Sequence, residues 1–522
     1  MNTTEFLEIT TAICPDRTAI IFEGKKYTFV ELGERANKLA DALLKLGTQK
    51  GDRLAILQVN CNQYVEAYFA TAKLGGIFVP LNFRAKQAEL THMLSNAEAS
   101  ILFVGERYID LVNSMRPDLP SIKHYIGIDG KPEGMLSYEE LLASSSQEGE
   151  TFVEINDDDP TALMYTAGTT GLPKGVPQTH NSYSFYVLQN VNPPDPAVAE
   201  TNLITMPLYH VAGMQAMLAA IYGGRTIALM KQFETKEWFE TAQQEKVTRA
   251  MLVPTMLKRI VDDPDFDKYD LSNLRVITYG AAACPYEVLK KTIERFPGRA
   301  LINAFGGTET SSTIALLRAE DQIITGKETE EEREKKLKRL ATSIGIPLDD
   351  VEVQIRDEEG RALSMKEVGE LVVRGPRIMK GYWKDEEKTK KAFTADGWYR
   401  TGDMGYVDEE GYIYLCGRAD DLIVRGGENI SPEEVENVLY THPKIEEAAV
   451  IGIPDPEWGS EPRAIVVLKK GETATPEEIM EFCREKLAGF KRPRSVVFVD
   501  ELPKTSTGKV LRRTLRDQYG KA

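Results

Sequence analysis

The sequence predicts an α/β protein: a large N-terminal domain of layered α/β subdomains with a β-rich subdomain, followed by a small C-terminal α+β domain. Three observations carry this. Helix and strand patterns alternate through the first 300 residues, strands separated by acidic-glycine turns follow after about residue 350, and a well-marked helix start near residue 431 opens the last stretch. With 522 residues and 42% apolar content, the chain is longer than one hydrophobic core supports.

The elements follow from local chemistry. In "YTFVELGERANKLADALLKLGTQKGDRLAILQV", Thr28 and Glu31 have capping-box spacing, and Leu32, Ala36, Leu39, Leu43 and Leu46 recur at helical intervals. Gly47 suits the left-handed residue that ends a helix, and a strand is expected from Leu54 to Val59. Residues 63 to 80 repeat helix, glycine and buried strand, the unit that builds a parallel sheet covered by helices. Residues 319 to 340 carry both charges at helical spacing and read as a solvated helix or loop. From 350 onward, "VEVQIRDEEGRAL", "GELVVRG" and "GYVDEEGYIYLCG" read as antiparallel sheet. Ser431 then caps a helix, with Pro432 at its first position and Glu433 and Glu434 at the positive end of its dipole.

Composition excludes several classes of function. The net charge of −16, from 80 acidic and 64 basic residues, repels nucleic acid and anionic membrane surfaces. The cysteines Cys14, Cys61, Cys284, Cys416 and Cys483 lack CxxC spacing, which argues against a disulfide framework or zinc site. No run of about 18 apolar residues is present to span a bilayer and no basic, apolar leader opens the chain, so a cytoplasmic location is expected.

One stretch concentrates small residues. "YTAGTTGLPKG", residues 165 to 175, offers close backbone approach, free amides, hydroxyl donors and the cation Lys174, which together suit phosphate. It is not the G-x-x-x-x-G-K-[ST] loop, because Gly168 and Gly171 stand three apart and Gly175 follows Lys174. An ordinary glycine-threonine surface loop is the competing reading.

The loop resembles the phosphate-binding signature of the acyl-adenylate-forming superfamily, which holds acyl-CoA synthetases, peptide-synthetase adenylation domains and beetle luciferases. Further segments match in order: "MPLYHVAG" at 206 to 213, "TYGAAACP" at 278 to 285, "NAFGGTET" at 303 to 310, "YRTGDMG" at 399 to 405, "GRADDLIVRGGENISPEEVE" at 417 to 436 and "PKTSTGKV" at 503 to 510.

The resemblance implies ATP, Mg2+ and CoA as the small molecules handled. It assigns nucleotide contacts to Thr166, Gly168, Thr169, Thr170 and Lys174, to the adenine turn Gly280, Ala281 and Ala282, and to Asn303, Ala304, Phe305 and Gly306. Phe305 stands where the family usually has tyrosine, so stacking on adenine is kept and a phenol hydroxyl is lost. Thr308 and Glu309 take the α-phosphate and the magnesium ion. Asp403 and Arg418 take the ribose side, and a plain turn aspartate is the alternative for Asp403. Lys509 is the catalytic lysine, bridging carboxylate and phosphate.

The resemblance further implies an N-terminal AMP-binding domain over 1–418, a hinge over 419–421 at Asp420, and a mobile C-terminal domain over 422–522 that carries Lys509 in and out. Gly426, Gly427 and Glu428 would line the approach of the CoA thiol, with Lys491 and Arg492 near its phosphates. An exposed basic pair is also simply surface.

Tyr209, His210, Val211, Ala212 and Gly213 would border the acyl pocket. His210 is counted as catalytic by this likeness, and a histidine packed for structure beside Tyr209 is an equal reading. With no carboxylate in this segment, a substrate amine would lack a counter-ion, so a fatty, aryl or alicyclic acid is expected. Three activities stay open: an AMP-forming acid:CoA ligase, a carrier-protein-loading adenylation enzyme, and a luciferase-type oxygenase. The expected partners are the acid, ATP and CoA, with a homodimer left open.

Overall fold

The computed structural model describes residues 1–521 except 146–152, 167–171, 319–327, 427 and 505–509. Local signals are realised where they were read. Thr28 caps the helix Phe29–Lys45 with both arms of a capping box to Glu31, and Gly47 adopts φ +89°. The following strand is Arg53–Leu57, starting and ending earlier than the apolar run suggested. Helix Asn62–Lys73, left-handed Gly75 and strand Ile77–Pro80 complete the repeat.

A seven-stranded sheet places Arg53–Leu57 between Ile101–Val104 and Ile77–Pro80, all parallel. It ends in an antiparallel pair, Pro160–Thr166 with Lys174–Thr179, in which Thr166 faces Lys174. The described ends of the glycine-threonine stretch, Thr166 and Lys174, therefore face each other at the edge of that sheet.

A thirteen-stranded sheet contains a parallel block that includes Thr201–Ile204, Arg249–Leu252, Val276–Gly280 and Ala300–Gly307. It turns antiparallel at Ser312–Leu317 and continues through Ser343–Pro347, Ile413–Arg418, Tyr399–Val407, Gly369–Arg374 and Glu352–Arg356. The stretch after 350 is thus antiparallel, as its alternation indicates, and it extends the parallel sheet instead of standing apart. The described part of the charged run forms the exposed helix Glu330–Thr342, anchored by buried Leu337 and Leu340.

The small C-terminal domain has its own apolar core. Val435 and Leu439 from the Ser431-capped helix Pro432–Tyr440 pack on Val450 and Val466 of the paired strands Ile445–Asp455 and Gly459–Leu468, with Ile479 from a second helix. All five cysteines are free. Among the described residues no helix is long and apolar enough to cross a membrane.

Candidate active site

The site forms where the two large sheets meet. Strand Ala300–Gly307 ends in the turn Thr308–Thr310, and Ser312–Leu317 returns beside it. A Cβ on Gly306 would run into the Ser312 carbonyl, and one on Gly280 into the Ala304 carbonyl, so both glycines are required by close backbone approach. Just past Glu309, Ser311 and Ser312 hold left-handed φ of +49° and +80°, and Ala281 holds +66°. Such conformations cost on the order of 1–3 kcal/mol each and persist only where neighbours enforce them. Here Thr310 Oγ1 accepts from Gly307 N at 2.9 Å and Ser311 Oγ donates to the Arg377 carbonyl at 2.8 Å. Arg377, fully buried, donates to the Thr313 carbonyl and pairs with Asp350.

Glu309 and Lys174 are brought together by a residue the sequence did not single out. Lys174 Nζ donates to the Tyr382 hydroxyl at 2.9 Å, and that hydroxyl donates to Glu309 Oε1 at 3.1 Å. Burial lowers the Lys174 pKa, while the Glu309 charge opposes that shift. Gln178, also missed, donates from Nε2 to the Thr308 carbonyl at 2.7 Å and so fixes the turn from the hairpin side.

Thr308 also lines a cavity of about 140 Å³, together with Met206, His210, Val211, Ala212, Ala281, Ala304 and Gly306. The segment expected to border the acyl pocket, the turn after strand Val276–Gly280 and the Thr-Glu turn therefore open on one space. Tyr209 lies buried behind it, edge-on to Phe83 at 5.2 Å and beside His210 at 4.3 Å. Gly213, in the first turn of helix Val211–Tyr222, lies against the Pro207 carbonyl, where a Cβ would collide. Burial, reinforced by Arg84, pushes the His210 pKa down to about 3, so its imidazole is neutral at physiological pH.

Asp403 and Arg418 lie opposite each other on paired strands, 3.1 Å apart as an ion pair. Phe305 is half-buried against a cluster that includes Val176, Tyr382 and Tyr399. Asn303 Nδ2 donates to the Ser343 carbonyl at 3.3 Å. Gly168, Thr169, Thr170, Gly427 and Lys509 lie outside the described residues.

The residues expected near CoA are engaged locally. Gly426 has φ +59°, donates to the Trp458 carbonyl at 2.9 Å, and has the Trp458 ring where a side chain would stand. Lys491 Nζ is bound by both Glu434 oxygens at 2.7 Å, and Arg492 Nε donates to the Leu487 carbonyl at 2.9 Å. Glu428 and Asp420 are exposed. Asp421, next to the expected hinge residue, pairs with Arg516 at 2.6 Å.

The fold is a large domain followed by a small one, with the Val211 segment and the Thr308 turn opening on one cavity. The model of the AMP-binding enzyme family matches residues 7–383, and that of the AMP-binding enzyme C-terminal domain matches 434–509. An indoleacetate–CoA ligase of Aromatoleum aromaticum is 32% identical, over 99% of this chain and 98% of its own. A long-chain-fatty-acid–CoA ligase of Thermus thermophilus is 34% identical, over 99% and 96%. Among solved structures, ATP-bound MatB from Rhodopseudomonas palustris superposes with a TM-score of 0.87 at 28% identity, covering 100% of this chain and 99% of that one. The chain belongs to the AMP-binding enzyme family, within the acyl-adenylate-forming superfamily, and is an acid–thiol ligase.

Proposed function

We propose that this ligase activates a hydrophobic carboxylic acid, fatty, aryl or alicyclic, with ATP to acyl-AMP and pyrophosphate, then passes the acyl group to the CoA thiol and releases AMP. One observation supports this most directly: the apolar segment Val211–Ala212 and the Thr308 turn line the same cavity, so an acid seated on the first presents its carboxylate at the second. That the Aromatoleum and Thermus relatives are named for an aryl and a fatty acid fits a pocket wall without a carboxylate.

In the first step a carboxylate oxygen attacks the α-phosphorus, the new O–P bond forms, and the bond to the bridging oxygen of pyrophosphate breaks. Negative charge grows on phosphoryl oxygens, so catalysis needs placed donors and cations more than an acid or base. Lys174 supplies an ammonium, Thr308 a hydroxyl and Lys509 a second ammonium. Neutral His210 stands at the acyl side as a wall of the pocket. Asp403 accepts from the ribose hydroxyls while Arg418 holds its carboxylate in place.

Among the described residues no cluster of three or more His, Cys, Asp and Glu is set to hold a metal. Magnesium is commonly bound through one or two carboxylates plus substrate phosphates, and Glu309 would be its protein ligand. When bound, the ion neutralises phosphate charge. The proposed division is 1–418, a hinge at 419–421 and 422–522, with Gly426, Gly427 and Glu428 brought to the thiol path after the domain turns about Asp420.

The test is a panel of carboxylic acids with ATP and CoA, read both as AMP release and as thioester. Failure to exchange labelled pyrophosphate into ATP with any acid overturns the reading.

A further inference from the structure

The geometry points to Tyr382 as a positioning residue for the nucleotide: its hydroxyl stands between the Lys174 ammonium and the Glu309 carboxylate and keeps both set for ATP and its metal. This rests on the reading above, in which those two groups serve the phosphates and the ion.

The hydroxyl accepts from Lys174 at 2.9 Å and donates to Glu309 at 3.1 Å, and the ammonium also lies 4.1 Å from the ring centre. The tyrosine is held by main chain on both sides. Met379 N donates to the Glu309 carbonyl at 2.8 Å, Trp383 N donates to the Gly175 carbonyl at 2.8 Å, and Tyr382 N donates to Thr389 Oγ1 at 2.9 Å. The segment from Met379 to Trp383 is thereby stitched both to the strand that carries Lys174 and to the turn that carries Glu309.

A lysine and a glutamate placed to serve one ligand tend to pair with each other, and that pair must be broken before the ligand binds. A phenol between them satisfies one proton of the ammonium and one oxygen of the carboxylate with neutral chemistry. Among the described residues no further hydrogen bond takes the other two ammonium protons, which suit phosphate, or the second carboxylate oxygen, which suits the metal. The hydroxyl thus keeps opposite charges apart in the empty site.

Tyr382→Phe tests this, because it keeps the ring and its contact with Lys174 and deletes only the relay. Expected are a rise of about tenfold in KM for ATP and a matching rise in the magnesium concentration at half-saturation, as for loss of one hydrogen bond to charged groups. KM for acid and CoA, the unfolding temperature, and thioester formation from supplied acyl-adenylate should be unchanged. Calorimetric binding of a non-hydrolysable ATP analogue with Mg2+ should weaken by the same factor, and Tyr382→Phe should add nothing in a Lys174→Met background. Wild-type analogue binding and metal saturation in Tyr382→Phe overturn the proposal, as does a parallel shift of every KM together with the unfolding temperature. If the wild-type protein binds the analogue with Mg2+ but turns over no acid, the proposed function fails while the calorimetric test of Tyr382 still stands.

Discussion

The cavity wall formed by Val211 and its helix and the junction between the domains are held by opposite kinds of force. Helix Val211–Tyr222 is apolar nearly all round and largely buried, with Met214, Met217, Leu218 and Ile221 in the main core and Gly213 pressed against backbone. At the junction, charge does the holding. Lys258 of the large domain reaches Glu446 of the small one at 2.5 Å and Arg516 pairs with Asp421 at the end of the large domain, while Arg512 pairs with Glu433 at 2.9 Å and Glu436 at 2.8 Å within the small domain. Packed apolar contacts keep one arrangement, whereas part-exposed ion pairs are worth little and are exchanged readily. A pocket of fixed shape beside a small domain that changes partners is what the proposed two-step reaction requires.

That contrast can be broken in several ways, of which the first has the largest effect. Arg512→Ala leaves buried Glu436, whose pKa burial already raises, without its counter-charge, and should cost about 3–5 kcal/mol in denaturant unfolding. Lys258→Ala should cost about 1 kcal/mol or less. Equal losses would show that both charge clusters are structural. Lys509→Ala should slow adenylation by about 10²–10³ while thioester formation from supplied acyl-adenylate is spared. Asp420→Pro, by fixing φ at the proposed hinge, should slow one half-reaction only, and loss of both in either variant argues for a single domain arrangement.

Two buried histidines make a pH prediction. Burial holds the pKa of His210 down to about 3 and that of His180 to about 4, both below the unfolded value near 6.5. The fold therefore favours the neutral rings. Their contribution is complete above pH 6.5 and is lost as pH falls towards 4 and 3, with a slope of at most about 1.4 kcal/mol per pH unit for each. Urea unfolding from pH 4 to 8 measures it, and His210→Gln should flatten part of that slope. A kinetic pKa near 6.5 that vanishes in His210→Gln would instead mean a solvated imidazole, not a packed wall. The smallest effect is that of salt. Raising ionic strength from 0.1 to 1 M shortens screening from about 10 to 3 Å. The ratio of the two half-reaction rates should change by less than about fivefold, with the order of preference among acids unchanged.

Legibility followed the range of the interaction. Caps at Thr28 and Ser431 lie within one turn of their partners and were readable, as was the change from parallel to antiparallel texture. Gly280 and Gly306 stood out as glycines, but the carbonyls that forbid a side chain there come from neighbouring strands. Tyr382 sits in "KGYW" with nothing nearby to mark it, because its partners are 208 and 73 positions away. Lys491 read as a cation for CoA phosphates or a plain surface residue, and its carboxylate partner Glu434 lies 57 positions off.

By itself the sequence determined the elements, the order of the motifs and the chemistry each can offer, since caps, turns and periodicity act over a few residues. Tertiary structure alone decided which offers meet: that Val211 and Thr308 share a cavity, that a tyrosine parts Lys174 from Glu309, and that Lys258 reaches Glu446 across the junction. Those outcomes depend on strand order and register between distant segments, which no local pattern encodes.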